Sequence, residues 1–245
     1  MTFLLLLTAC EISFEEYLRD VQEPAEEIQW DGYVYWVGPV SGESDALDQA
    51  TVTLSDLEET WTLTAEQPFT AYPGFWRFDD VPVCSEVVLR VQGESTVPMI
   101  WRDRVPDGDS RWSALYTMDL EEVDSYFSDM TATSMQSAEP LAEGNVAHLW
   151  GSTWEPEAWV DAELIVVDSV GDEHPVLAFH TDEETEALVE SAPGDPIDVF
   201  YAFNLPEGQT TLIATSADGQ SVQVDWPTRG GDLLSALYTL LPESP

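Results

Sequence analysis

The five residues Ser113-Ala114-Leu115-Tyr116-Thr117 occur a second time in the chain as Ser235-Ala236-Leu237-Tyr238-Thr239. Two looser matches precede this pair in the same order. They are Phe78-Asp79-Asp80-Val81-Pro82 with Phe203-Asn204-Leu205-Pro206, and Ala50-Thr51-Val52-Thr53-Leu54 with Ala162-Glu163-Leu164-Ile165-Val166. Three matches in one order indicate an internal repeat, so the chain is predicted to contain two related halves. The first two matches lie further apart in the second half, which predicts an insertion there around residues 181–186.

Short stretches of alternating apolar and polar residues fill both halves. Between residues 83 and 91, Glu86 and Arg90 fall on one face of a predicted strand. The opposite, apolar face consists of Val83, Val87, Leu89 and Val91. Similar strands are predicted at 51–54, 60–64, 164–167, 199–203, 211–215 and 222–226, and turns at 41–44, 106–109 and 217–219. Many short strands rich in aromatic and β-branched residues indicate a β-sandwich.

One stretch has helical periodicity. Asp119 followed by Glu122 is a capping-box pattern at the start of a helix. Apolar residues then recur at helical spacing, at Leu120, Val123, Phe127 and Met130. We therefore predict a short helix over residues 120–130, followed by a Ser/Thr/Ala-rich linker that extends to residue 144. The repeated Ser-Ala-Leu-Tyr-Thr segments suit a helix or a strand, and we predict strands.

The first half resembles the carboxypeptidase regulatory-like domain, a transthyretin-like β-sandwich. The family pattern is carried by residues 46–54 (ALDQATVTL) and 74–82 (GFWRFDDVP). The second half is similar more loosely, through residues 160–164 and through residues 205–208 followed by Leu212. Departures from the pattern occur at three positions where the family has glycine, namely Gln49, Asp161 and Cys84. The resemblance implies an accessory, adhesive or structural module and supplies no catalytic residues.

Together these features predict an all-β fold of two tandem immunoglobulin/transthyretin-like β-sandwiches with a short connecting helix. The first sandwich is expected over residues 30–118, the helix and linker over 119–144, and the second sandwich over 145–245. The acidic stretch at 11–29 is expected to be a tether, because it contains Pro24 and few apolar residues. A short amphipathic helix around residues 14–21 is an alternative within it.

The first ten residues resemble the end of a bacterial lipoprotein signal peptide. A short apolar run ends in Leu7-Thr8-Ala9-Cys10, which has the Leu-x-small-Cys form of the cleavage box. The resemblance implies that Cys10 is lipidated and anchors the protein in the bacterial cell envelope, at the outer membrane or the cell surface. The run is short and has no basic residues, so a misread start or a plain apolar N-terminus is the alternative.

The expected role of the second cysteine, Cys84, depends on whether Cys10 is lipidated. If Cys10 is lipidated, Cys84 has no intramolecular partner and is expected to be a passive small residue. If Cys10 is not lipidated, a Cys10–Cys84 disulfide is the alternative in an oxidising compartment.

The charge of the chain is strongly unbalanced. It contains 48 acidic residues against seven basic ones, for a net charge of −41, and all seven basic residues are arginine. Because the acids are spread along the whole chain, we interpret them as a general surface adaptation, for example to a salt-rich habitat. Such a surface repels nucleic acids and anionic lipid head groups, so neither is expected as a partner. Weak binding of divalent cations remains an open alternative, and no cofactor is expected.

Two groups of residues are candidates for ligand binding. The chain has ten tryptophans, for which packing is the primary expectation. Trp150, Trp154 and Trp159 lie close together in sequence and are the candidates for an exposed binding surface. Arg102 and Arg104, with Arg111, form the one basic cluster. Salt bridges with nearby acids are the primary expectation for them, and binding of an anionic group is the alternative.

Metal and catalytic chemistry find little support. His174 and His180 lie among acids and raise the alternative of a zinc site, and the primary expectation for them and for His148 is an ordinary structural role. Asp79-Asp80 and residues 107–110 supply oxygen atoms, but neither stretch matches an EF-hand loop. No nucleophile-elbow motif is present, and paired carboxylates mean little in so acidic a chain.

We therefore expect a lipid-anchored envelope protein with a structural or adhesive role and no enzymatic activity. Its expected partners are the membrane, through the lipid, and an envelope protein or a glycan. The alternatives are a carbohydrate- or peptide-binding module that uses exposed tryptophans and, less favoured, a hydrolase.

Overall fold

A computed structural model describes residues 27–37, 44–47, 50–65, 73–83, 85–105, 110–132, 136–153, 156–182 and 187–239. The leader with Cys10, the tether up to residue 26, Cys84 and the predicted turn at 106–109 lie outside these ranges. Within them the chain is mostly β-structure, arranged in several sheets with one α-helix. No helix of the described part is long and apolar enough to cross a bilayer.

In the described ranges the first half contains eight strands and the helix α1. The strands are β1 (Glu27–Val37), β2 (Ser44–Ala46), β3 (Thr51–Ser55), β4 (Thr62–Thr64), β5 (Phe75–Pro82), β6 (Glu86–Gln92), β7 (Met99–Arg104) and β8 (Ser110–Thr117). Helix α1 follows as Leu120–Thr131. Because β1 begins at Glu27, residues 27–29 belong to the first sheet and not to the tether in which the sequence placed them.

In the part of the second half that the structure describes there are nine strands, which follow a 3-10 turn at Leu141–Glu143. Its strands are β9 (Ala147–Thr153), β10 (Glu163–Asp168), β11 (Glu173–His174), β12 (Val176–Thr181), β13 (Leu188–Glu190), β14 (Val199–Leu205), β15 (Gly208–Thr215), β16 (Ser221–Thr228) and β17 (Leu233–Thr239). A second 3-10 turn, Pro156–Trp159, lies between β9 and β10. Both Ser-Ala-Leu-Tyr-Thr segments fall in strands, as predicted.

The strand pairing is the same in the two halves, as expected of an internal repeat. Strand β1 pairs antiparallel with β5 and parallel with β8, and β9 pairs in the same way with β14 and β17. The order β3-β6-β7 in the first half corresponds to β10-β15-β16 in the second.

A bulge also recurs at the same place in both repeats. Asp80 and Asn204 precede the Val-Pro and Leu-Pro pairs, and both have left-handed backbones with φ of 58°. Asp and Asn are the non-glycine residues that tolerate this conformation best. The register of β5 and of β14 shifts at these positions, so each strand continues past its partner with a bend.

A parallel pairing joins the two halves. Strand β17 lies between β9 and β7, with Leu233 opposite Met99 and Ser235 opposite Trp101. The result is a nine-stranded sheet in the order β13-β12-β14-β9-β17-β7-β6-β3-β4. The two repeats therefore share one sheet, which the prediction of sandwiches in tandem did not include.

Strands β6 and β7 consequently lie between two apolar layers. Val87, Leu89 and Val91 pack into the core of the first half with β1 and β5, as the alternating pattern predicted. On the opposite face, Val88 and Ile100 pack into the core of the second half. The face of β6 that carries Val88 and Arg90 is therefore part of the contact surface between the two halves.

Helix α1 caps a third apolar cluster. It begins where predicted, since Oδ1 of Asp119 accepts hydrogen bonds from the backbone N–H of Glu121 at 2.9 Å and of Glu122 at 3.1 Å. Val123 and Phe127 are buried. Their cluster includes Leu177 of β12, Tyr201 and Phe203 of β14, and Leu233 of β17. The helix therefore covers this sheet from β12 to β7, since Met99 of β7 belongs to the same cluster.

Candidate functional site

A cleft lies at the junction of the two halves, and we call it the junction cleft. Its volume is about 260 Å³. Ser55, Arg90 and Ile100 line it from the first half, and Pro227, Arg229 and Asp232 line it from the second. It contains two of the seven basic residues of the chain.

Arg90 and Asp232 form an ion pair across the junction cleft. Nη1 of Arg90 donates a hydrogen bond to Oδ2 of Asp232 at 2.9 Å, and Nη2 lies 2.7 Å from Oδ1. The second contact is close enough for an ion pair but is not aligned as a hydrogen bond. The side chain of Asp232 is 1% exposed and that of Arg90 is 26% exposed. A carboxylate from the second half is thus buried against a guanidinium from the first.

Burial decides the protonation behaviour of Asp232. Its loss of solvation raises the pKa of the carboxyl above the usual value, and the hydrogen bond and charge of Arg90 oppose that rise. The backbone N–H of Arg229 also donates to Oδ2, at 3.2 Å, and acts in the same direction as Arg90. The pKa remains raised, so the folded protein holds a proton on Asp232 more readily than the unfolded chain does.

A second ion pair crosses the same junction. Nη2 of Arg229 contacts Oε1 of Glu59 at 2.6 Å and Oε2 at 2.5 Å. Both side chains are well exposed, at 51% and 42%, so the pair contributes little to stability. Each acid that lines the junction cleft is thus paired with an arginine.

The three candidate tryptophans do not form one exposed surface. Trp159 is 1% exposed and stacks on Phe200, with ring centroids 6.1 Å apart, so the expectation that it is exposed was wrong. Trp150 is partly buried and packs against the cluster under α1, whereas Trp159 belongs to the core of the second half. Trp154 lies outside the described residues. Ligand binding by Trp150 and Trp154 stays a prediction.

Packing accounts for several other tryptophans. Trp30, Trp76 and Trp226 are each at most 1% exposed. Trp30 and Trp76 meet edge to face, with centroids 5.7 Å apart and planes at 79°. These positions agree with the primary expectation that tryptophans fill the cores.

The basic cluster is partly used by nearby acids. Nη2 of Arg102 lies 2.7 Å from Oε2 of Glu86 on the neighbouring strand β6. Arg104 is exposed at the end of β7, and the side chain of Arg111 is not described. Arg102 therefore offsets an acid, as primarily expected, and anion binding by Arg104 stays a prediction.

The histidines are dispersed. Nε2 of His174 lies 3.2 Å from Oδ2 of Asp168, and Nδ1 of His180 lies 3.3 Å from Oγ of Ser191. Within the described ranges, no three His, Cys, Asp or Glu side chains are grouped so that they could hold a metal ion. The zinc alternative thus gains no support from the described part of the chain.

His148 is a buried residue whose role the sequence did not reveal. Its Nδ1 accepts a hydrogen bond from the backbone N–H of Asn204 at 3.1 Å, and its Nε2 lies 3.0 Å from the carbonyl oxygen of Glu139. Nδ1 also lies 2.7 Å from the carbonyl oxygen of Ala147, so a neutral ring with its proton on Nε2 satisfies Asn204 and Glu139 but not this third partner. Burial lowers the pKa of His148, and its contacts with backbone carbonyls oppose that effect. The ring thereby ties the linker after α1 to strand β14.

The sequence also missed the pairing of Arg90 with Asp232. Its one signal was that Arg90 lies on the polar face of an otherwise apolar strand in a chain with few basic residues. Nothing local to Asp232, in the turn before β17, points to a partner so distant in sequence.

Comparisons with known proteins give only distant similarities. No protein-family model and no curated protein matches the chain. Among solved structures, a protein of Bacteroides uniformis provisionally named as carbohydrate-binding has a TM-score of 0.29 and 10% identity, covering 83% of this chain and 98% of its own. The minor pilin GBS52 of Streptococcus agalactiae has a TM-score of 0.24 and 10% identity, covering 89% and 98%. The major pilin subunit of Bacillus cereus has a TM-score of 0.23 and 9% identity, covering 82% and 68%.

Proposed function

We propose that this chain is a lipid-anchored, non-catalytic protein of the bacterial cell envelope with a structural or adhesive role. In this proposal its two halves are sandwiches of the transthyretin-like type. The observation that carries it is the parallel pairing of β7 with β17, which joins the halves through backbone hydrogen bonds. A continuous sheet makes the two halves one stiff unit, which suits a spacer or a support.

The packing at the junction supports the same interpretation. Val88 and Ile100 are 4% and 2% exposed and contribute to the core of the second half. A hinge between domains would need a small and polar interface. Here an apolar contact and a backbone ladder lie side by side, so bending would expose apolar surface and break hydrogen bonds.

The buried ion pair adds specificity to the junction. Separating Arg90 from Asp232 would leave a carboxylate buried without its guanidinium, which is strongly unfavourable. The pair therefore favours one relative position of the halves. This use of the arginine and the acid also accounts for them without catalysis.

The anchor in this proposal comes from the sequence. Residues 7–10 have the form of a lipoprotein cleavage box, and an acidic stretch separates Cys10 from β1. The negative charge of the chain keeps the folded part away from anionic head groups, so it would stand off from the surface that holds it.

The proposal is tested by metabolic labelling with an alkyne analogue of palmitate in a bacterial host, followed by membrane fractionation. We expect label and membrane association in the wild type and in Cys84→Ala, which is the matched control. Cys10→Ala should lose both. Label that persists in Cys10→Ala, or no label in the wild type, would overturn the anchored role.

The structural role has its own test. Small-angle scattering of the full chain should give one set of dimensions that does not change with ionic strength, as a stiff unit requires. A distribution of interatomic distances that broadens when the salt concentration is changed would contradict the stiff junction.

A further inference from the structure

The junction between the halves is made of two different strand edges of the repeated unit. The first half contributes β7, the last strand of its β3-β6-β7 order, and the second half contributes β17, which lies beside β9. The two edges pair in parallel over residues 99–101 and 233–235. Because the edges differ, a contact of this kind is heterologous.

The repeat equivalents of these two edges lie at the margins of their sheets. Strand β8 is the equivalent of β17, and among the strands that the structure describes it pairs only with β1. The far end of β8 is engaged, since the backbone N–H of Val97 donates to the carbonyl oxygen of Met118 at 2.9 Å, but its beginning lies away from that contact. Strand β16 is the equivalent of β7 and ends the order β11-β10-β15-β16.

The repeat also fixes which residues correspond along these edges. Following the ladders outward from β3 and β10, residues 99–101 of β7 correspond to residues 222–224 of β16. The repeated Ser-Ala-Leu-Tyr-Thr segments place residues 233–235 of β17 in correspondence with residues 111–113 of β8. A ladder between 222–224 of one molecule and 111–113 of another would therefore repeat the one inside the chain.

We propose that a second copy of this chain docks at the edge of β16, with its β8 added in parallel as the next strand of the sheet. Backbone hydrogen bonds supply the contact, as in other cases of strand addition. Each molecule donates one edge and accepts at the other, so the product is a head-to-tail series and not a two-fold symmetric dimer. The proposal goes beyond the structural role given above and does not depend on the anchor, because it rests on the strand order.

The two edges lack the protection that edge strands usually carry. Charged side chains and proline on an edge strand keep other chains from pairing with it. Strand β8 contains no acid, in a chain that has 48, and β16 contains one, Asp225. The proline of β16, Pro227, lies at the end that borders the junction cleft. The part of β16 that the repeat selects is thus the part without such protection.

The outer face of the second-half sheet supplies an apolar surface beside this edge. Ile165 lies opposite Ile213 on the neighbouring strand, and Val167 lies two residues further along β10. All three are partly exposed, whereas Leu212 is fully buried on the opposite face, in the core of the second half. The equivalent face of the first half carries Arg90 and contacts the second half, so a docked molecule would lie against this apolar surface.

A matching turn leaves an apolar side chain exposed at the same surface. Asp56, after β3, and Asp168, at the end of β10, each accept a hydrogen bond at the backbone carbonyl from the N–H three residues ahead, at 3.1 and 3.0 Å. In the first half this turn packs Leu57 against the core of the second half. In the second half it carries Val170, which is 80% exposed. A docked molecule would cover Val170 as the second half covers Leu57.

Docking would bury no counterpart of the ion pair in the junction cleft. In the repeat, Ile213 corresponds to Arg90, and Ser110 corresponds to Asp232. The net charge of −41 nevertheless makes whole molecules repel one another. Salt screens that repulsion, because the Debye length falls to about 3 Å at about 1 M. Docking should therefore strengthen as salt rises, the opposite of a contact held by ion pairs.

The test is disulfide trapping between two variants of the full chain, both of which also carry Cys10→Ala and Cys84→Ala. One has Ser110→Cys and the other has Ser221→Cys, since these serines directly precede the proposed ladder in β8 and in β16. Mixed at high protein concentration in about 1 M salt under mild oxidation, they should form a heterodimer in excess over either homodimer.

The matched control replaces Ser110→Cys by Ser44→Cys. Ser44 begins β2, which pairs with β1 on the edge opposite to β8. Heterodimers of this variant with Ser221→Cys should not exceed homodimers. Equal yields in the control and the test pair would overturn the docking of β8 on β16.

Sedimentation velocity of the full chain with Cys10→Ala, under reducing conditions, measures the docking without new thiols. We expect single molecules in about 0.1 M salt, and a series of larger species as salt and protein concentration rise. Val170→Ser should weaken this association by about three- to tenfold, whereas Leu188→Ser, at an exposed position of β13, should not. Equal effects of the two variants, or association that falls as salt rises, would contradict the proposal.

The stiffness of the junction is measured apart from this assembly. Small-angle scattering extrapolated to zero protein concentration reports the single molecule, whether or not copies dock at high concentration. Circular dichroism melts establish that each variant is folded.

Discussion

The guanidinium of Arg90, on a strand of the first half, holds the carboxylate of Asp232 from the second half, with Nη1 and Oδ2 2.9 Å apart. The contact lies beside the β7–β17 ladder, so charge, backbone and apolar packing coincide in one junction. This arrangement makes the two halves energetically dependent on one another, and that dependence can be measured.

Removal of the Arg90 guanidinium should lower the free energy of unfolding. Arg90→Ala leaves Asp232 buried without its partner, and we expect a loss of about 3 kcal/mol in the free energy of unfolding. Arg229→Ala is the control, because its pair with Glu59 is exposed and should contribute less than about 1 kcal/mol. Urea unfolding followed by tryptophan fluorescence measures both values, and equal losses would show that burial of the pair is not what matters.

The raised pKa of Asp232 predicts a pH dependence. In the window between the ordinary value of 3.8 and the raised pKa, the folded protein binds more protons than the unfolded chain. The contribution of Asp232 to stability is therefore fully present below 3.8 and is lost as the pH rises through the raised pKa. Asp232→Asn should not show this loss.

The measurement is the difference in unfolding free energy between Asp232→Asn and the wild type across acidic to neutral pH. We expect the difference to shift in favour of the variant as the pH rises. A shift in the opposite direction would mean that Arg90 holds the pKa of Asp232 below 3.8. Glu163→Gln, at an exposed position, controls for the general change in charge.

His148 should act in the opposite pH direction. Because burial lowers its pKa below 6.5, the unfolded chain binds the proton more readily just below that value. The stability contributed by the neutral ring is present above pH 6.5 and is lost as the pH falls through the lowered pKa. Protonation also removes the acceptor that the N–H of Asn204 uses.

The matching variant is His148→Gln, compared with the wild type by thermal melting at several pH values. The wild type should lose stability below pH 6.5 more steeply than the variant does. Melts at pH 8, where the imidazole is neutral in both states, measure the stability that is lost with the packing of the His148 ring. Identical pH dependence of the melting temperature in the two proteins would show that the pKa of His148 is the same in the folded and unfolded states.

Truncation of a first-half side chain at the junction should destabilise the second half. Ile100→Ala removes a side chain that is 2% exposed and belongs to the core of the second half. We expect a loss of about 2–4 kcal/mol and faster amide exchange in β16, where Trp226 shares that core. Ile28→Ala, in the core of the first half, should leave exchange in β16 slower than Ile100→Ala does.

Local patterns explain which elements were predictable. Strand β3 and helix α1 were placed correctly because their periodicity and the Asp119 cap are properties of adjacent residues. The pairing of β7 with β17 has no such signature, since it joins residues 99–101 to residues 233–235. Val88 was equally hidden, because it interrupts an alternating strand and only a second core explains its burial.

The candidate site was harder to predict for the same reason. The region around Trp159 looks like a loop from its proline and acids, yet a 3-10 turn places the indole against Phe200. Arg90 and Asp232 each look like one surface charge among many. Only the meeting of two distant segments distinguishes them from the other acids and arginines.

The place of β17 in the large sheet also sets an order of events during synthesis of the chain. Strand β7 has β6 on one side, and its other edge stays open until residues 233–235 have emerged. An open apolar edge is a hazard for pairing with other chains. Because synthesis begins at the N-terminus, β7 would need protection, by a chaperone or by the negative charge of the chain, until the late strand closes the sheet.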